Sequence, residues 1–169
     1  MNRLNIVIIS LIVSVLATGC ASIISEELVR QVDSSVTFEK VFDNPEAVKG
    51  TTVLFGGEIV STKNLKEGAL VEVVQKPLDS GQKPKHVDDS GGRFLALYDG
   101  FLDGEIYEKG RAVTVCGVVQ GSRVNLLDEI EYKYPLIAAK EIHLWKQPQP
   151  PEKPFYHSPY HIWPYWYWY

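Results

Sequence analysis

Arg111-Ala112-Val113-Thr114-Val115-Cys116-Gly117-Val118-Val119-Gln120 is the run that decides how this chain folds. Valines at 113, 115 and 119 stand an even number of places apart, so on an extended backbone they share one face. β-Branched residues suit such a pleated, half-buried surface. Lys109-Gly110 opens the run, and Gly121-Ser122-Arg123 reads as the turn that closes it.

The flanking sequence supplies partners for this strand. Thr52 to Thr62 carries Val53, Phe55 and Ile59 around Gly56-Gly57, which predicts a strand with a bulge or sharp bend at the glycine pair. Ala69 to Gln75 alternates Val71 and Val73 against Glu72, and with Asn64 to Gly68 as a short turn the two strands should pair as a hairpin. Arg93 to Tyr98 brings Phe94, Leu95 and Leu97, and Asp99-Gly100 and Asp103-Gly104 are turn dipeptides. Tyr132 to Trp145 closes the set, with Pro135 at an edge or entry and Ile142 and Leu144 directed inward. The expected fold is therefore all-β. Short, bent strands separated by turn signals point to a small five-stranded OB-like barrel, because closing the sheet removes its edges. An open β-sandwich is the alternative.

Three stretches fall outside this pattern. Thr37 to Val48 reads as a short helical turn, with Asn44 as N-cap, Pro45 at the first helical position and Gly50 ending it. Lys76 to Gly92, with Pro77, Gly81, Pro84, Asp88-Asp89 and Gly91-Gly92, reads as a long polar loop, either solvated or shaping a binding site. From Gln147 a Pro-rich spacer leads into the aromatic stretch Phe155 to Tyr169. There Trp163, Tyr165, Trp166, Tyr167 and Trp168 are candidate membrane or partner contacts, since such rings pair an apolar body with a polar tip. They either touch the bilayer or fold back over an apolar groove on the barrel or on a second copy.

The amino terminus fixes the expected address. Ile6 to Ala17 follows Arg3 and is shorter than the roughly 20 apolar residues needed to cross a hydrocarbon core, so it reads as a secretory signal. Small residues Ala17, Thr18 and Gly19 precede Cys20, a layout similar to the bacterial lipobox, although Leu16 stands one place further out than usual. Cleavage would leave Cys20 as the lipidated first residue. Several acyl chains, each buried methylene contributing about 0.8 kcal/mol, then hold the chain to a membrane. Ala21, where Asp would favour the inner membrane, directs it to the outer membrane. Residues 1–19 are thus expected as signal peptide, 20–50 as lipidated tether with a short helical segment, 51–146 as barrel and 147–169 as tail.

Composition narrows the function. A chain of 169 residues with formal charge −4 has no basic field for nucleic acid, and after signal removal it suits one globular domain. With Cys20 taken by lipid, Cys116 has no partner cysteine, and no neighbouring His or basic residue stands ready to activate it, so it reads as a packed thiol. Asp88-Asp89 and Asp103 with Glu105 sit among glycines, where Asp serves turns better than glycan hydrolysis. His157 and His161 are four apart, but Pro159 between them opposes a metal-binding helix. His86 falls in the loop, and His143 should face solvent. No motif for catalysis, metal or a cofactor emerges.

The lipobox, the bent strand Val53 to Val60, the segment Lys109 to Gly121 and the Pro/Tyr/Trp terminus together make the chain similar to the Slp family of starvation-inducible outer-membrane lipoproteins. The resemblance implies an outer-membrane, lipid-anchored protein without enzymatic activity, engaged in stationary-phase or stress-related envelope upkeep. Its expected partners are outer-membrane lipid, through acylated Cys20, and an envelope protein or glycan. The alternative function is an OB-like binding module for an envelope glycan or other oligomeric ligand.

Overall fold

The computed structural model describes residues 23–147; Cys20, the paired His157 and His161 and the aromatic tail lie outside the described residues. Two short helices, α1 (Glu26–Gln31) and α2 (Phe38–Asp43), precede five strands: β1 (Thr52–Leu65), β2 (Gly68–Lys76), β3 (Arg93–Tyr98), β4 (Ala112–Leu127) and β5 (Ile130–Leu144). The strands close in the order β1-β2-β3-β5-β4, with β4 returning to β1. All neighbours are antiparallel except β3 and β5, which run parallel from Leu95↔Leu136 to Tyr98↔Ala139. This is the OB-like barrel, and closure rules out the open sandwich.

The barrel interior follows from the alternation in the sequence. Val53, Phe55 and Ile59 of β1, Val71 and Val73 of β2, Phe94 and Ala96 of β3, Val113, Val115 and Val119 of β4, and Ile137 and Ala139 of β5 form one buried cluster. α2 joins the same core through Phe38 and Val41, spaced three apart on one helical face. The Phe38 ring meets Phe55 edge-on at 5.2 Å and lies 5.9 Å from Phe94. Residues ahead of Thr51 therefore contribute to the packed body.

Three sequence expectations need correction. The helix lies before Asn44, not after it: Thr37 is the N-cap of α2 and Asn44 its C-cap, because burial of Phe38 and Val41 places the helical turn where it can pack. Asn44 and Pro45 open a non-helical turn, in which the Ala47 amide donates to the Asn44 carbonyl at 3.2 Å. The bulge in β1 falls between Ile59 and Ser61, not at Gly56-Gly57. Those glycines instead permit close approach. A Cβ on Gly57 would collide with the Val74 carbonyl, and one on Gly56 with Leu78 of the 77–92 loop.

The third correction concerns Gly121-Ser122-Arg123, which does not turn the chain. Gly121, at φ 110°, sits where the β4–β5 register shifts, and β4 continues to Leu127 before reversing at Asp128-Glu129. A positive-φ glycine serves a bulge as well as a turn, so the dipeptide pattern could not separate the two. Pro135 occupies the predicted position: it stands one residue before β5 acquires β3 as its second neighbour.

Candidate functional site

Since Val113 and Val115 point into the barrel, Thr114 and Cys116 of β4 point out of it, yet both are fully buried. Two segments cover this outer face. The amino-terminal segment is fastened by three contacts. The Ser25 amide donates to Glu141 Oε2 at 3.0 Å, Lys140 Nζ donates to Gln31 Oε1 at 3.3 Å, and Val32 bridges to Thr52. Glu141 is the register partner of Cys116, so this segment passes over the thiol. Burial, with a smaller contribution from the Glu141 charge, pushes Cys116 up to about 11, and the group is a sealed, protonated thiol.

The 77–92 loop covers the neighbouring part of the face and is ordered by its own contacts. Leu78 bridges to Pro84, and Asp79 Oδ1 accepts from the Gly81 and Lys83 amides at 2.8 and 2.9 Å. Thr114 fastens the loop to the sheet: its hydroxyl donates to the Gln82 carbonyl at 2.7 Å and accepts from Trp145 Nε1 at 3.0 Å. Gln82 is held at φ 63°, in the left-handed region.

Beside this fastening lies a cavity of about 370 Å³ lined by Glu58, Lys83, Pro84, His86, Ala112 and Trp145, among others. Lys83 Nζ stands 5.5 Å from the Trp145 ring centroid, a cation–π distance. His86 Nδ1 lies 3.4 Å from Glu58 Oε1. His143 is half-buried rather than free in solvent, its ring 4.7 Å from that of Trp145. With its indole N–H already committed to Thr114, Trp145 lends the cavity ring surface rather than a free donor, beside the charged groups of Glu58 and Lys83.

A polar cluster holds the β2–β3 side. Arg93 Nη1 pairs with Glu72 Oε1 at 2.7 Å, and Tyr134 Oη donates to the same oxygen at 3.3 Å. The hydrogen bond to Glu72 raises the Arg93 guanidinium further, and burial raises the Tyr134 phenol. The Asp103 carboxylate accepts from the Glu105 amide at 2.9 Å, so this pair serves the turn, as its sequence context predicts. Among the described residues, no group of three His, Cys, Asp or Glu converges as for a metal ion.

Sequence reasoning did not single out Thr114 or Trp145. The available signal was a polar residue between two core valines and a tryptophan ending the last strand. Neither says that a distant loop will fold over them.

Fold and site together define the class: a small closed β-barrel of OB strand order in which the outer face of β4, at Thr114 and Cys116, is covered by the chain's own loop and amino-terminal segment. The chain belongs to the outer membrane lipoprotein Slp family, whose model matches residues 17–169. Outer membrane protein Slp of Escherichia coli (strain K12) is 31% identical over 115 residues, covering 68% of this chain and 61% of that protein. The lipoprotein YeaY of the same organism is 33% identical over 135 residues, covering 76% of this chain and 68% of that one. A protein of Haemophilus influenzae is 34% identical over 95 residues, covering 56% of this chain and 51% of that one. The chain thus spans 61% of the length of the first of these relatives. Family membership agrees with the address read from the sequence, that of a lipid-anchored protein of the outer membrane.

Proposed function

We propose that the protein is a non-catalytic lipoprotein that supports the outer envelope, under starvation or stress, through contacts made by its surface. In this reading Cys20 carries the lipid, and Trp163, Tyr165, Trp166, Tyr167 and Trp168 touch the bilayer or a partner. One observation carries it: the barrel is filled by a continuous apolar core, and Cys116 is sealed and protonated, which leaves the outside of the molecule to do the work. The glycan-binding alternative stands second, because the cavity beside the 77–92 loop offers one aromatic wall, Trp145, where a glycan cleft would present several.

Crosslinking in intact envelopes tests the proposal. The full chain, Cys20→Ala and a chain ending at Gln147 are compared by co-purification and mass spectrometry. The expected result is an acylated Cys20 and an envelope partner lost with the tail or the anchor. A bare thiol at residue 20, or identical crosslinks from all three chains, would refute it.

A further inference from the structure

Beyond the barrel wall, β4 and β5 continue as a two-stranded arm. From Ser122↔Pro135 to Leu127↔Ile130 they pair with each other, while the pairing of β1 with β4 ends at Thr52↔Val118 and β3 meets β5 only from Leu136. Among the described residues, no other strand pairs with either edge of this arm. An open edge is a row of unpaired N–H and C=O groups, and proteins normally blunt it with charge or proline. The β5 edge is blunted by Glu131, Lys133 and Pro135. The β4 edge is not: between Ser122 and Leu127 its one charged residue is Arg123. Val124 and Leu126 are 59% and 70% exposed there, and Ile130 at the tip is 64% exposed.

We infer that this β4 edge pairs with the same edge of a second copy, antiparallel about a two-fold axis passing Asn125. A two-fold axis normal to the sheet keeps each side chain on its own face, so Val124 of each copy stands opposite Leu126 of the other and Asn125 opposite Asn125. Within each copy Val124 already has Lys133 beside it on β5, and Leu126 has Glu131. Each cross-copy row therefore reads Lys133, Val124, Leu126, Glu131, an apolar centre flanked by opposite charges, and the second row is its mirror. The edge complements itself in backbone pairing and in the order of its apolar and charged side chains. A lipid surface fits less well, because Asp128, Glu129 and Glu131 crowd the tip. The amino-terminal segment leading back to Cys20 is also fastened at the opposite end of the hairpin, at Glu141.

The test uses the mature full-length chain in detergent and in intact envelopes. With Asn125→Cys, the two new thiols face each other at the Cα separation of directly opposed strand residues, about 4.5 to 5.5 Å, which a disulfide spans. Mild oxidation should give a covalent dimer, Lys133→Cys should give far less, and the sealed Cys116 does not compete. By sedimentation, Leu126→Lys, a change at an exposed position, should raise the dimer dissociation constant by at least about tenfold, since it sets a charge against each apolar partner. A chain that sediments as a monomer throughout, with Asn125→Cys crosslinking no better than Lys133→Cys, overturns the inference. So does a monomer whose position 125 is shielded by lipid vesicles, or one whose position 125 becomes accessible when residues 148–169 are removed; these outcomes assign the edge to the bilayer or to the chain's own tail.

Discussion

The Cys116 thiol shares the outer face of β4 with Thr114 and is buried by a segment that arrives from far away in the sequence. Its physical state has a measurable consequence. An acid whose folded pKa is raised stays protonated in the native chain while the unfolded chain ionises, so its contribution is fully present below the unfolded value and is lost as pH rises through the folded one. The unfolded thiol titrates near 9.0 and the folded one at about 11. Between these values the native state should lose about 2 kcal/mol relative to a Cys116→Ala chain, read from urea midpoints across that window. A slope identical in the two proteins would show that the thiol is not sealed. Thr114 makes the complementary point: a buried hydroxyl is tolerated because it both donates, to Gln82, and accepts, from Trp145. Sequence showed Cys116 as a packed thiol but gave no notice of Thr114, because its two partners lie on a loop and on another strand.

At the scale of the strands, glycines set where the barrel closes. Gly57 lies where β1 meets Val74 of β2, and a Cβ there would strike the backbone carbonyl, which cannot move aside as a side chain can. Gly57→Ala should lower stability by on the order of 3 kcal/mol, by denaturant unfolding. Gly104→Ala, with open space around the added methyl, should be nearly neutral. Equal effects would mean that the β1–β2 approach is not constrained. The same elements show the limits of reading turns from glycine. Hairpin β1–β2 and strand β3 lie where alternation and turn residues placed them, whereas Gly121 bends β4 without ending it. The β4–β5 arm, and with it the open edge at Val124 and Leu126, follows from that difference.

For the molecule as a whole, Phe38 ties the amino-terminal segment to the barrel. Its ring packs on Phe55 and Phe94, and Ile24 further upstream is also fully buried, so the segment is seated in the packed body at separate points with exposed residues between them. Phe38→Ala should lower the free energy of unfolding by about 3 to 5 kcal/mol, while Phe101→Ala, at a ring left 75% exposed, should change it little. Matching losses would place Phe38 outside the cooperative core.

By itself the sequence determined the all-β class, the number of strands, most of their inward faces and the outer-membrane address. Each of these is written in local periodicity, in turn residues or in the contiguous apolar run and small residues ahead of Cys20. Only the tertiary structure decided that β3 and β5 run parallel, that the 77–92 loop is fastened over Thr114, that Phe38 and Val41 belong to the core and that β4 passes Gly121 into an open-edged arm. The physical reason is common to all four: each depends on contacts between residues distant along the chain, and periodicity records which way a side chain faces without recording what meets it there.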